Sequence, residues 1–292
     1  MRNLVTKFFA LFILMFPSNA RATENTLSRL EEIHRIVLDP EEVFSASETL
    51  AELDELGAIL SEEERESKAH GELAYLRGFI FSRTGEAEQS VLQTQEALRI
   101  DGINRFLTTR ERSYALYNLA GQAEEIEEWT IAIEAFQQAI PLFDQDPDLD
   151  EGGKIGLRER LGFTLHEAGR YEKALDVNKE ALERGIAFGG KDNAKLNNTL
   201  TNLAQNAYEL GDLETARLYL DRRLSIALKN SDDDNVDDSL FQLGVLSFEQ
   251  GQTQEARQFM EQRVSLAEKT GDDMLISDAK EDLRILLEKL SK

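Results

Sequence analysis

The chain has 292 residues, 41% of them hydrophobic and 30% charged, and a formal net charge of −23. That charge excludes a nucleic-acid partner, which needs a basic stripe, and opposes adhesion to anionic lipid. The absence of cysteine excludes a disulfide framework and a lipid-modified cysteine, and four prolines amid abundant Ala, Leu, Glu and Gln favour helix over sheet.

In chain order, Arg2 and Lys7 precede the apolar run Phe8 to Phe16, then come Pro17 and the small-residue sites Ser18-Asn19-Ala20 and Ala20-Arg21-Ala22. This charged, apolar, small-residue order is that of a secretory signal peptide, cleaved after Ala20 or Ala22. The run falls far short of the ~20 apolar residues that span a bilayer. Residues 1–22 therefore read as an export signal, with no stable membrane insertion after cleavage. Cleavage after Ala22 removes Arg2, Lys7 and Arg21 and no acid, so the mature chain is more acidic still. An exported chain without cysteine suits a bacterial periplasm, with an extracellular location as the second reading.

Residues 23–70 read as a degenerate helical unit and connector. Leu27, Leu30, Ile33 and Val37 make one apolar face, Asp39-Pro40 interrupts it, and Val43 to Leu60 gives a second helix. Ser61 to Lys68, "SEEERESK", is a charged connector or helix start.

From residue 71 to 272 a schedule of small residues recurs. Gly78, Ala120, Gly162, Ala204 and Gly244 follow one another at 42, 42, 42 and 40 residues. Seven positions after each stand Gly85, Glu127, Gly169, Gly211 and Gly251, and five further on Ser90, Ala132, Ala174, Ala216 and Ala256. Such self-similarity marks a repeat architecture. Each unit reads as two helices meeting at the glycine, which takes the left-handed conformation that ends the first helix. The small residue and the later alanine mark where the two backbones approach most closely. A lone hairpin cannot bury its apolar face, so the units must stack. Residues 273–292 read as a capping helix over the last repeat, and no domain boundary interrupts the array.

With Gly162, Gly169, Ala174 and Ala181 in these places, residues 71 to 270 resemble the tetratricopeptide repeat (TPR) family. The usual period of that family is about 34 residues. The intervals of 42 and 40 are more similar to the long-period type of kinesin light chains and bacterial peptide-sensing regulators. The resemblance implies an all-α, right-handed superhelical solenoid of antiparallel helix pairs. Departures from the pattern are Arg77 where Leu119, Leu161, Leu203 and Leu243 precede the small residue, Glu127 for the turn glycine, Ser90 for alanine, and Arg223 and Arg263 at the final position held by Ala97, Ala139 and Ala181. A buried guanidinium needs a partner, so these two arginines are expected to reach solvent or a carboxylate.

No phosphate loop or nucleophile elbow is present, and His34, His70 and His166 sit in different units, so neither an enzyme nor a metal or other cofactor is expected. "DQDPDLDEGG", Asp144 to Gly153, spaces carboxylates like a calcium loop but has Leu149 at the glycine position and Ile155 at the closing glutamate position. It reads as a solvated loop with helix-capping aspartates.

In TPR proteins one face of each first helix lines the concave side. Steps of i, i+4 and i+7 place Tyr75 and Phe79 on that face, then Tyr117, then Glu159, Phe163 and His166. Thr201, Gln205 and Tyr208 follow, then Phe241, Val245 and Phe248. Beside this aromatic strip stand Asn118, Arg160, Asn202 and Gln242. In related long-period TPR proteins an asparagine there often holds the backbone of an extended peptide. Asn118 and Asn202 match it, Gln242 is a longer substitute, and Arg160 suits a carboxylate. The competing reading is that the aromatics are packing residues.

The sequence thus points to a non-catalytic, exported scaffold or adaptor that binds a protein or peptide segment in a concave groove. The alternatives are a structural subunit of an envelope assembly, docking through the convex face or the ends, and a sensor for a small molecule or saccharide. The sequence does not set the oligomeric state.

Overall fold

The computed structural model describes residues 24–39, 41–61 and 65–291; the expected export signal lies outside the described residues. All regular structure among the described residues is α-helical. Helix α1 runs through 24–38. It is followed by α2 (Ala46–Ile59), α3 (Lys68–Thr84), α4 (Ala87–Asn104), α5 (Thr109–Glu125), α6 (Trp129–Asp144) and α7 (Glu151–Glu167). Then come α8 (Tyr171–Gly189), α9 (Leu196–Glu209), α10 (Leu213–Asn230), α11 (Asp233–Glu249), α12 (Thr253–Thr270) and α13 (Asp273–Leu290). The helices pack in consecutive pairs, α3 with α4 through α11 with α12, as the small-residue schedule requires. The chain divides into two compact units, one ending at Asp146 and the other beginning at Pro147.

The turns explain the glycine spacing. Gly85, Gly169, Gly211 and Gly251 have φ of 80°, 68°, 75° and 73°, a region that L side chains seldom enter. In each copy the amide after the turn residue bonds back to the closing turn of the first helix: Glu86 to Phe81, Arg170 to Leu165, Asp212 to Ala207 and Gln252 to Ser247. Glu127 makes the same turn without being glycine, at φ 59°, and Glu128 N–H still donates to Ala123 at 2.8 Å.

In the first unit, α1 and α2 join α3 in one core. Leu30, Ile33 and Val37 pack with Leu53, Leu60, Leu73, Leu76 and Ile80. Arg77 replaces leucine at little cost because its guanidinium reaches back to α2, donating to the Leu53 carbonyl at 3.3 Å and pairing with Asp54. Ser90 replaces alanine because its hydroxyl donates to the Gly78 carbonyl at 2.9 Å, fastening α4 to α3.

In the second unit the same crossing recurs between α7 and α8, where a Cβ on Gly162 would overlap the Asn178 amide. Between α11 and α12, a Cβ on Gly244 would lie 2.8 Å from Met260 Cε. The small residue therefore also makes room for a second-helix side chain sixteen positions later, beyond the alanine contact the schedule suggests. Arg223 and Arg263 both find carboxylates. Arg223 Nη1 lies 2.6 Å from Asp238, and Arg263 Nε lies 2.9 Å from both oxygens of Asp237 while its Nη1 pairs with Asp282. Helix α13 closes the unit, Leu283, Leu286 and Leu290 packing with Met260, Phe241 and Phe248. The acidic loops act as caps: Asp150 accepts from Gly153 N–H at 2.7 Å and Asp232 from Asn235 N–H at 3.2 Å.

Candidate functional site

In the first unit the expected groove residues are largely taken up by packing. Tyr75 is 5% exposed, in a core with Ala74, Ala97, Leu107 and Ala115, its ring centroid 5.4 Å from that of His34 on α1. Burial, with Glu111 and Glu72 nearby, raises its phenol above the ordinary tyrosine range. Phe79 packs against the α1–α3 core with the Arg83 guanidinium 5.8 Å from its ring centre. Tyr117 is half-buried, edge-on to Phe136 and Phe143 at 6.1 and 6.3 Å. Asn118 is half-buried on α5.

The second unit differs. Its first helices α7, α9 and α11 border a recess of about 320 Å³. Ala204, Ala216, Leu220 and Leu246 line it with apolar surface; His166, Gln205, Tyr208, Phe241, Gln242 and Val245 supply the rest of the wall, with Glu209 beside them. Four of the expected residues (His166, Tyr208, Phe241 and Gln242) are thus brought together. Gln205 and Val245 come from the same strip, whereas Glu209, Leu220 and Leu246 carry no signal in the sequence beyond helix periodicity.

Hydrogen bonds fix the polar members. Asn206 Nδ2 donates to the Asn202 carbonyl at 2.6 Å, which turns its Oδ1 toward His166 Nδ1 at 3.0 Å. His166 therefore donates from Nδ1, and in the neutral ring Nε2 is left as an acceptor. The imidazole also stands edge-on to Tyr171 at 5.2 Å. Tyr208 is 40% exposed and donates its hydroxyl to Glu249 Oε1 at 2.8 Å; this bond to a carboxylate raises the phenol. Gln242 Nε2 donates to Asp238 at 2.9 Å. Phe241 is held from behind by the Arg263 guanidinium, 5.0 Å from its ring centre.

The remaining expected residues do not line this recess. Phe163 is 48% exposed on α7 and Arg160 is exposed one turn before it. Asn202 is half-buried on α9, and Phe248 packs toward α13 with Lys289 Nζ 5.8 Å from its ring. The recess has an apolar floor, amide and imidazole edges, and carboxylates rather than cations at its rim. It suits an apolar side chain flanked by a polar backbone. Among the described residues no group of three or more His, Asp and Glu is placed to hold a metal ion.

The tetratricopeptide repeat family model matches residues 155–229, and a second model of the same description matches 238–262. Residues 155–229 and 238–262 thus carry tetratricopeptide repeats. The matched segments include the α7–α9–α11 recess. A search of curated proteins finds no match. Among solved structures, the apo form of RapI is 15% identical over 95% of this chain and 80% of its own, with a TM-score of 0.57. Aspartyl phosphate phosphatase F from Bacillus subtilis is 13% identical over 94% of this chain and 80% of its own, with a TM-score of 0.55. A signal transduction ATPase with a tetratricopeptide repeat sensor, from Pyrococcus horikoshii, is 15% identical over 95% of this chain and 42% of its own, with a TM-score of 0.58. At these identities the likeness is one of fold.

Proposed function

We propose that the chain is an exported, non-catalytic adaptor whose second unit binds a peptide or protein segment in the α7–α9–α11 recess. The observation that carries this reading is the recess itself: about 320 Å³ of mainly apolar space on the first-helix face, edged by His166, Gln205 and Gln242. An apolar side chain of the segment fills the floor between Ala204 and Val245. Its backbone meets the Gln205 and Gln242 amides, and the carboxylates of Glu209 and Glu249 favour a neutral or basic flank. The signal-peptide order read in residues 1–22 supports a periplasmic site of action, with an extracellular one as the second reading.

The deciding experiment selects binders from a displayed peptide library and titrates them against the wild-type chain and Val245→Glu. Val245 is 36% exposed, so a carboxylate there spoils the apolar floor without entering the helix core. Loss of binding at an unchanged melting temperature supports the reading. Peptides that bind the variant as tightly as the parent contradict it.

A further inference from the structure

The second unit holds another cavity, of about 380 Å³, bounded by the first turns of α7, the end of α8 and the start of α9. The peptide reading makes no use of it. Its walls are built rather than incidental. The 190–195 segment that forms one side turns at Gly190, with φ 83°, and is tied to α10 by the Lys229–Asp192 ion pair and by Asn230 Nδ2 donating to the Asp192 carbonyl at 3.1 Å. The Asn193 side chain seats against Gly189 while its Oδ1 accepts from Lys195 N–H at 3.1 Å. On the floor, Leu196 fits against Gly185, where a Cβ would meet its Cδ2 at 2.6 Å. The space is therefore preformed, which lowers the entropy a ligand must lose on binding.

The lining is chemically mixed. Phe188, 52% exposed, offers an aromatic wall. Asp150, Glu159, Asn193, Lys195 and Asn198 supply both donors and acceptors. Glu159 accepts from Thr199 Oγ1, and burial raises its carboxyl above the ordinary glutamate range, which brings it nearer to acting as a donor. The charges do not suit an anion, because the lining carries two carboxylates, Asp150 and Glu159, against one ammonium, Lys195. No group of three ligating side chains among the described residues suits a metal ion. What fits is a neutral molecule with an apolar face and a polar edge.

We propose that this cavity binds a saccharide of one or two rings, one ring face against Phe188 and its hydroxyls shared among Asn193, Asn198, Asp150 and Glu159. The hydroxyls of a sugar both donate and accept, as this edge requires, and its C–H face matches an aromatic ring. The site is separate from the peptide recess, so the two can be tested independently.

The experiment titrates the chain with glucose, N-acetylglucosamine and maltose by isothermal calorimetry. At least one is expected to bind saturably. Phe188→Ala and Asn198→Ala each weaken that binding on the order of tenfold, about 1.4 kcal/mol. Both side chains are exposed, so the melting temperature stays that of the parent, and Val245→Glu leaves sugar binding intact. Failure of all three sugars to bind saturably overturns the proposal. So does binding that persists undiminished in the Phe188→Ala/Asn198→Ala double variant, or binding abolished by Val245→Glu, which would place the sugar in the other recess.

Discussion

Gly162 on α7 lies against the fully buried Asn178 on α8, so closely that a Cβ on the glycine would overlap the asparagine amide. Neither amide atom of Asn178 has a hydrogen-bond partner. In the next repeat the corresponding pair is Ala204 and Leu220, both buried. Gly162→Ala is therefore expected to destabilise the protein by ~1–2 kcal/mol, the overpacking outweighing the gain in helix propensity. Asn178→Leu keeps the branched outline and removes an unpaired amide that costs ~1–3 kcal/mol. The double variant, which copies the Ala204–Leu220 pair, should recover most of the loss. Chemical denaturation of the four proteins measures the coupling; strict additivity contradicts the shared contact.

His34 carries the pH dependence of α1 docking. Its Nδ1 faces Glu72 on α3 and its Nε2 lies 3.0 Å from Glu111 on α5, with Tyr75 packed alongside. Donation from both nitrogens requires the imidazolium. Burial lowers its pKa, but the two carboxylates outweigh burial and hold it above the ordinary histidine value. A raised folded pKa stabilises fully below the unfolded value of about 6.5 and ceases to do so as pH rises through the folded value. Melting temperatures taken from mildly acidic to alkaline pH should fall more for the parent than for His34→Gln across that window. Parallel curves would remove His34 from the account.

Arg263 joins three helices, pairing with Asp237 on α11 and Asp282 on α13 from its place on α12. Its side chain is 11% exposed, so truncation leaves two half-buried carboxylates, Asp237 and Asp282, without their cation. Arg263→Ala is expected to cost about 3 kcal/mol. Adding Asp237→Asn should return part of it, because one uncompensated charge is removed. Urea unfolding of the single and double variants checks both statements.

Glu127 occupies a left-handed turn at φ 59°, where the turns inside the other four helix pairs use Gly85, Gly169, Gly211 and Gly251. An L residue there costs ~1–2 kcal/mol. Glu127→Gly should raise stability by about 1 kcal/mol, less the entropy glycine adds to the unfolded chain. A lower melting temperature for the variant would show that the glutamate side chain contributes more than its backbone costs.

Export predicts that protein recovered from the periplasm of an expressing bacterium begins at Arg21 or Thr23. Intact mass decides it, and retention of Met1 through Phe16 would end the export reading.

The repeat fold is legible in the sequence because two different demands, a left-handed turn and a close helix crossing, both select for a missing or minimal side chain. The residue facing that crossing is not legible: Phe136, Leu220 and Met260 are apolar there, but Thr94 and Asn178 hold the same place with polar side chains. Nor is the division after Asp146, since the 42-residue interval from Ala120 to Gly162 is the same as those on either side of it. The aromatic strip is legible as a helix face, but its degree of exposure is not. Tyr75 is buried beside His34 because α1 packs on α3, and α1 carries none of the schedule's small residues to announce it. The cavity beside Phe188 is invisible in the sequence because a loop conformation shapes it, not a spacing.

The left-handed Glu127 also bears on how such a chain ages. Because a defect at one turn is felt by its own helix pair and the pairs beside it, no single departure threatens the whole. Arg77, Ser90 and Glu127 all depart from the repeat pattern, and each is accommodated by a local hydrogen bond or a local backbone strain. Each copy therefore needs to keep only the positions that its own packing uses. The family models match residues 155–229 and 238–262, while the same helical hairpins are also built by α3 to α6, the pairs that hold all three of these departures.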